Sequence, residues 1–220
     1  MPTPSDRAFA LARLYQLPAA FFSTKVDADF FRYLATKDAD ADLTGLAEQL
    51  ADPELMQSAK QWGQEVAQQT DKESAFEELF EHLSKYVMAD TFPPYSARYG
   101  NRQLFGEEQI MADVAGFYRA FAVEPNEKER VDHIGLELEF LSFLAFKEAV
   151  ALQQHDPERA SVSREARSRF LQEHVVPFLF AYLDATDRRE PNKLMPPLAA
   201  FTRALVENEL RFFGLKGDPS

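Results

Sequence analysis

Apolar residues recur along most of this chain at the three-and-four spacing of a helix, and in one stretch they surround it. Across residues 131–150 (VDHIGLELEFLSFLAFKEAV), Ile134, Leu138, Leu141 and Ala145 share one face, while Leu136, Phe140, Phe143 and Phe146 occupy the others. A helix that is apolar nearly all round belongs in the middle of a bundle, with neighbours on every side. Its entrance differs from its body. Asp132, His133, Glu137 and Glu139 gather titratable groups at or near the amino-terminal end, so a site is to be sought there first.

Upstream, Ser5 is placed to cap a first helix carrying Phe9, Leu11, Ala12, Leu14 and Tyr15, which Pro18 ends or kinks. Phe21 and Phe22 then plug the core at the turn. Asp27 or Asp29 starts a short helix through Phe30, Phe31 and Leu34, and Thr44 opens another with Leu46 and Leu50. Asp52-Pro53 is a helix start, a capping residue followed by proline at the first helical position, ahead of Leu55, Met56, Trp62 and Val66. After Asp71, Phe76, Leu79, Phe80, Leu83 and Val87 form an amphipathic stripe, with Glu73, Glu77, Glu78 and Glu81 as a solvated face.

Residues 91–100 (TFPPYSARYG) form a loop, because two prolines remove donors and push the residues before them into extended conformations. Helix returns over 107–123, with Ile110, Val114, Phe117, Tyr118 and Phe121 inward, until Glu124-Pro125-Asn126 stops it. The connection 124–130 is highly charged and enters the central helix. Residues 153–160 read as a linker, 164–186 as a helix that Pro177 divides or kinks, and 187–193 as a second linker. Leu194, Leu198, Phe201, Leu205 and Phe212 then mark the stripe of a last helix. Strand-like alternation is nowhere sustained, and Val and Ile are sparse beside Leu, Ala, Phe and Glu. The expected fold is therefore all-α: one helical-bundle domain over residues 1–220, of about nine to ten helices, with hinge regions at 153–160 and 187–193.

Composition sharpens this picture. A chain of 220 residues, 45% hydrophobic, is long enough for one substantial core, and 20 Phe against one Trp make that core rich in phenyl rings. The formal net charge of -12 repels nucleic acid and anionic lipid and attracts basic peptides or cations. With no cysteine, disulfides, thiolate metal sites and thiol nucleophiles are excluded. The amino terminus lacks a basic segment followed by an apolar one, and no apolar run approaches the roughly 18 residues of a membrane span, so a soluble cytoplasmic protein is expected.

Several chemistries lack sequence support. There is no Gly-x-Gly-x-x-Gly, no Walker phosphate loop and no Gly-x-Ser-x-Gly elbow. None of the four histidines (82, 133, 155 and 174) has Glu three residues before it, as di-iron carboxylate bundles require. What remains is Asp132-His133 with Glu137 one turn on. Asp132 reads either as a helix cap or as part of a site, and His133 as an i, i+4 partner of Glu137. Glu139, beside Phe140 in an apolar helix, needs a partner, either Arg98, Arg102 or Arg119 or a basic group of a ligand. The aromatic loop has two readings as well: its rings plug the core, or they form a wall against which an extended peptide lies.

The segments PPYSARYG, VDHIGLELEFLSFLAFKEA and FLQEHVVPFLFAYLDA, in that order and spacing, resemble the TorD/DmsD/NarJ family of cytoplasmic redox-enzyme maturation chaperones. In that family an Asp-His segment opens a Glu-Leu-Glu-Phe helix, and a later helix carries Leu-x-x-His followed by an aromatic, proline-containing run. Asp132, His133, Gly135, Glu137, Leu138, Glu139 and Phe140 match the first, and Phe170, Leu171, His174, Pro177 and Phe178 the second. The resemblance covers about residues 76–210, with a looser match in the opening helices. Val131 departs from the family's usual Pro, and Ser96 from the Glu of nitrate-reductase-type members.

The resemblance implies a non-catalytic, TorD-like chaperone for a molybdenum-cofactor enzyme of the dimethyl sulfoxide reductase superfamily. Such proteins bind the client's amino-terminal, often twin-arginine, signal peptide and hold the apoprotein until cofactor is inserted. The implied partners are the client's catalytic subunit, its signal peptide and the cofactor-insertion machinery. No cofactor or metal of its own is expected, nor nucleic acid or stable membrane insertion, and monomer and dimer are both open. By carry-over the peptide lies around Pro94, Tyr95, Tyr99, Asp132 and His133, with Glu137 and Glu139 as partners for arginine. Two other classes compete: a metal-dependent or acid/base enzyme using Asp132, His133 and Glu137, and a structural accessory subunit of an oxidoreductase complex.

Overall fold

The computed structural model describes residues 2–25, 27–88, 93–99, 106–125, 129–187 and 192–216. They form α1 (Pro4–Phe21), α2 (Ala28–Leu34), α3 (Lys37–Gln49), α4 (Pro53–Ala67), α5 (Lys72–Met88), α6 (Glu107–Ala120), α7 (Ile134–Gln153), α8 (Pro157–Phe170), α9 (Val176–Asp187) and α10 (Met195–Phe213). The described residues contain no β-strand beyond one isolated bridge, so the expected all-α class holds.

α7 is the apolar central helix that its sequence requires. Ile134, Leu138, Leu141, Leu144 and Ala145 have no solvent exposure. Its most extensive neighbour is α1, whose Leu11, Leu14, Tyr15 and Leu17 are likewise buried, and α8 covers another side. α3 lies between α1 and α4, and α4 packs on α10. Phenyl rings fill two regions of the core. One sets Phe21 against Phe31, Trp62 and Phe76, and the other sets Phe140 against Tyr118 and Phe170.

A second set of contacts inside the bundle is ionic. Arg167 of α8, 2% exposed, donates to Glu148 of α7 at 2.5 Å and lies 3.0 Å from Glu209 of α10, which also accepts from the Tyr15 hydroxyl at 3.4 Å. Three helices are thus joined through one guanidinium. Nearby, Asp52 caps α4 and accepts from Asn208 and Arg211 of α10.

Several boundaries fall elsewhere than the sequence reading put them. The cap of α1 is Thr3, not Ser5: Thr3 and Asp6 make a reciprocal capping box, and Ser5 donates instead to the Ala149 carbonyl. α1 runs through Pro18 to Phe21. Thr44 lies inside α3, which begins after Thr36, because Asp38 and Asp40 favour the positive end of a helix dipole. The linker over 153–160 shrinks to the turn 154–156, since Asp156-Pro157 is itself a cap and start, the same signal as Asp52-Pro53. The division expected at Pro177 is one turn of π-helix, Leu171–Val175, directly before it, in which the Val176 amide reaches back to the Leu171 carbonyl. Proline at 177 supplies no amide to the Glu173 carbonyl, and the wider turn absorbs the irregularity. Thr91, Phe92, Gly100, Arg102 and Asn126, the side chain of Val87, and most of 187–193 lie outside the described residues.

Candidate functional site

The entrance to α7 is held by the loop over 93–99. Tyr95 and His133 form an antiparallel bridge, in which the Ser96 amide donates to the Asp132 carbonyl at 2.9 Å and the Ile134 amide to the Pro94 carbonyl at 2.8 Å. Two prolines extend the chain ahead of Tyr95, and a short 3-10 turn, Ser96–Arg98, ends the extended stretch. Tyr118 of α6 adds a third tie through its hydroxyl to the Val131 carbonyl, 2.9 Å away.

Asp132 is fully buried but does not cap the helix. Its carboxylate is gripped by the fork of Arg130, Nε to Oδ1 at 2.9 Å and a terminal nitrogen to Oδ2 at 2.8 Å, and accepts from the Ala97 amide at 3.3 Å. The cap is His133, whose Nδ1 accepts from the Gly135 amide at 3.2 Å. Nδ1 therefore carries no proton and Nε2 does. Burial pushes the imidazole down to about 4 although Asp132 and Glu129 oppose this, so His133 is neutral at pH 7.

Glu137 does not pair with His133 at i, i+4. It points under the loop and accepts from the Ser96 hydroxyl at 2.6 Å, and its other oxygen has no hydrogen-bond partner among the described residues. Complete burial, reinforced by Asp132, raises its carboxyl well above the usual range. The joint thus holds one ion pair, Arg130 with Asp132, beside a neutral His133 and a Glu137 whose burial favours the protonated form.

The burial expected of Glu139 is not found: Glu139 is on the solvent side, and it is Glu137 that is enclosed. Glu139 borders a cavity of about 320 Å³ with Tyr118, Leu136, Phe140 and Phe143 and with Glu124 and Glu129 of the charged connection. Desolvation and the neighbouring Glu129 raise its carboxyl. Glu129 itself meets Lys25 at 2.8 Å and Thr24 at 3.2 Å.

Of the loop rings, Tyr95 stands edge-on to His133 and beneath Arg130, whose guanidinium carbon lies 4.3 Å from the ring centre. Tyr99 packs on Phe178 of α9, and Pro94 is buried. Structure thus brings Pro94, Tyr95, Asp132, His133 and Glu137 into one joint, with Tyr99 and Glu139 on either flank. Arg130, Ser96, Glu124 and Glu129 were not singled out as site residues from sequence. The Arg-x-Asp spacing of 130–132 and the density of charge over 124–130 were the available signals.

An all-α bundle with its central helix entered through such a joint is the class that fold and site define. Residues 35–184 match the nitrate reductase delta subunit family, and the chain belongs to it. The motif resemblance to NarJ/TorD-type chaperones is thereby borne out, with the match beginning before residue 76, in the opening helices, and ending at 184 rather than 210. The chain is also similar to the selenate reductase assembly chaperone protein of Thauera selenatis, with 32% identity over 113 residues. That similarity covers 49% of this chain and 58% of the relative, so it spans little more than half of the relative's length. No solved structure matches.

Proposed function

We propose that this protein is a non-catalytic, cytoplasmic assembly chaperone for the catalytic subunit of a molybdenum-cofactor oxidoreductase. In this reading residues 1–220 act as one unit. They bind the client's amino-terminal, twin-arginine signal peptide and its apo form, and assist cofactor insertion before export. The peptide lies across Pro94, Tyr95, Tyr99, Asp132, His133 and Glu139, with Glu137 beneath. The likeness to an assembly chaperone across 113 residues carries the reading.

Its physical support lies beside Glu139. An apolar floor of Leu136, Phe140 and Phe143 under three carboxylates suits an arginine, whose stem is apolar and whose head is cationic. Tyr95 offers a half-buried ring beside His133 and Arg130, and the net charge of -12 steers a basic segment inward. Asp132 and Glu137 hold the loop that carries Tyr95.

The experiment is a tagged pull-down from native cytoplasm, followed by titration of the recovered subunit's signal peptide. Recovery of one unprocessed molybdoenzyme subunit is expected, with saturable peptide binding near micromolar, about -8 kcal/mol. Asp132→Ala, His133→Ala and Glu139→Gln should each weaken that binding. If Asp132→Ala and His133→Ala fold normally and bind as the parent does, the site is wrong; if no such subunit is recovered, so is the function.

A further inference from the structure

Leu171-x-x-His174 stood out in the sequence, yet the proposed peptide site makes no use of it. His174 lies in the π-turn between α8 and α9, 5% exposed. Its ring is held against Phe170 and Phe117, with centroids 5.1 Å and 5.4 Å away. Its Nε2 is 3.2 Å from Asp113 Oδ2 of α6, yet neither ring nitrogen makes an aligned hydrogen bond among the described residues. Glu173 precedes it, and one donor atom from each of the three residues lies within 4.8 Å of the others.

We infer that Asp113, Glu173 and His174 form a binding site for one divalent first-row transition-metal ion. Donors bound at about 2.0–2.2 Å to a common ion stand roughly 3.0–3.5 Å apart, which is the separation of His174 and Asp113. A close approach without hydrogen-bond alignment is what two ligands of a third atom show. One imidazole and two carboxylates suit the manganese-to-zinc range, and their two negative charges balance the ion. His174 is preorganised by its aromatic neighbours. Asp113 and Glu173, 58% and 41% exposed at the side chain, are free to close the remaining distance.

The rival partner of Glu173 is Arg169, at 3.2 Å on the surface, and an exposed pair of that kind is weak enough to yield. Three protein ligands leave a coordination position open. A cavity of about 400 Å³ between α6 and α8, bordered by Asp113, Phe117, Ala166 and Arg169, adjoins the cluster and gives water or a ligand access to it. The ion ties α6 to the π-turn. Helical turns of this kind are frequent at functional sites.

The test uses the tag-free full chain, stripped with chelator and titrated with Zn²⁺ by calorimetry and with Co²⁺ by visible absorption. One ion per chain is expected, together with a rise in melting temperature. Asp113→Asn, at an exposed position that leaves the fold intact, should weaken binding tenfold or more, and His174→Gln should abolish the cobalt spectrum. Absence of saturable binding at one ion per chain overturns the proposal. So does undiminished binding by Asp113→Asn, which would place the metal elsewhere.

Discussion

Gly135 sits in the first turn of α7, where a Cβ would stand 2.7 Å from the Phe22 carbonyl oxygen and 2.9 Å from the Ser23 Cα. Both obstacles are backbone at the end of α1, so no side chain can swing aside. Restoring an ordinary 3.4 Å contact from 2.7 Å requires α1 and α7 to part by about 0.7 Å at their closest point. Gly116, inside α6, is the matched control, because nothing lies within 4 Å of its virtual Cβ. Alanine at either position gains about 1 kcal/mol of helix propensity over glycine. That term cancels between the two variants. What remains is overpacking at Gly135, about 1–3 kcal/mol. At about 2–4 °C per kcal/mol for a chain of this size, Gly116→Ala should melt about 2–4 °C above the parent. By the same conversion Gly135→Ala should melt about 2–12 °C below Gly116→Ala. Thermal melts followed by circular dichroism decide it. Two variants that melt together above the parent would refute the close approach.

Three further outcomes follow from the buried charges. His133 is held at about 4 in the fold against 6.5 in the unfolded chain, so the unfolded state takes up the proton first as pH falls. Its contribution is fully present above pH 6.5 and is lost progressively down to pH 4, about 3 kcal/mol in all. In urea unfolding, His133→Gln should flatten the profile over that window, and a slope equal to the parent's would sink the assignment. Glu137 has the opposite sign: its raised carboxyl stays protonated in the fold while the unfolded chain ionises, so stability falls as pH rises above 4.5. Glu137→Gln, which can still accept from Ser96, should match the parent at pH 4 and exceed it at pH 7; equal stability at pH 7 contradicts the protonated form. Arg167→Met strands the fully buried Glu209 and leaves Glu148 with Arg164 alone, and should cost about 3–5 kcal/mol, with most recovered when both glutamates are also made apolar. A single variant as stable as the parent would show that the network does not bind the helices.

Periodicity makes the helices legible because each buries a stripe, and the all-round apolar pattern of 131–150 marks α7 as central. Boundaries were less legible where two signals compete. Ser5 and Thr3 are both capping types, and only Thr3 has Asp three residues on to complete the box. Asp156-Pro157 carries the same start signal as Asp52-Pro53, yet the polar residues around it read as linker. At the site, the letters identified Asp132, His133 and Glu137 but not their orientation. In an apolar helix nothing local says which of Glu137 and Glu139 faces inward. That is decided by the loop over 93–99, forty residues away, which covers Glu137 with Ser96.

Ser96 is also the position at which the sequence resemblance implies a glutamate in nitrate-reductase-type members. With Glu137 already enclosed, a second carboxylate at 96 would set two acids against each other in a buried site, whereas a hydroxyl donates. Loop and helix therefore share one buried polar network: Asp132 clamped by Arg130, His133 neutral as a cap, and Glu137 beneath Ser96 with its carboxyl raised by burial. Asp132 and Glu137 fasten the loop to α7 through the Ala97 amide and the Ser96 hydroxyl, and His133 closes the first turn of the helix itself. Anything that engages Tyr95 pulls on Arg130 through its ring and on His133 through the bridge, and so on the first turn of the helix around which the bundle is built.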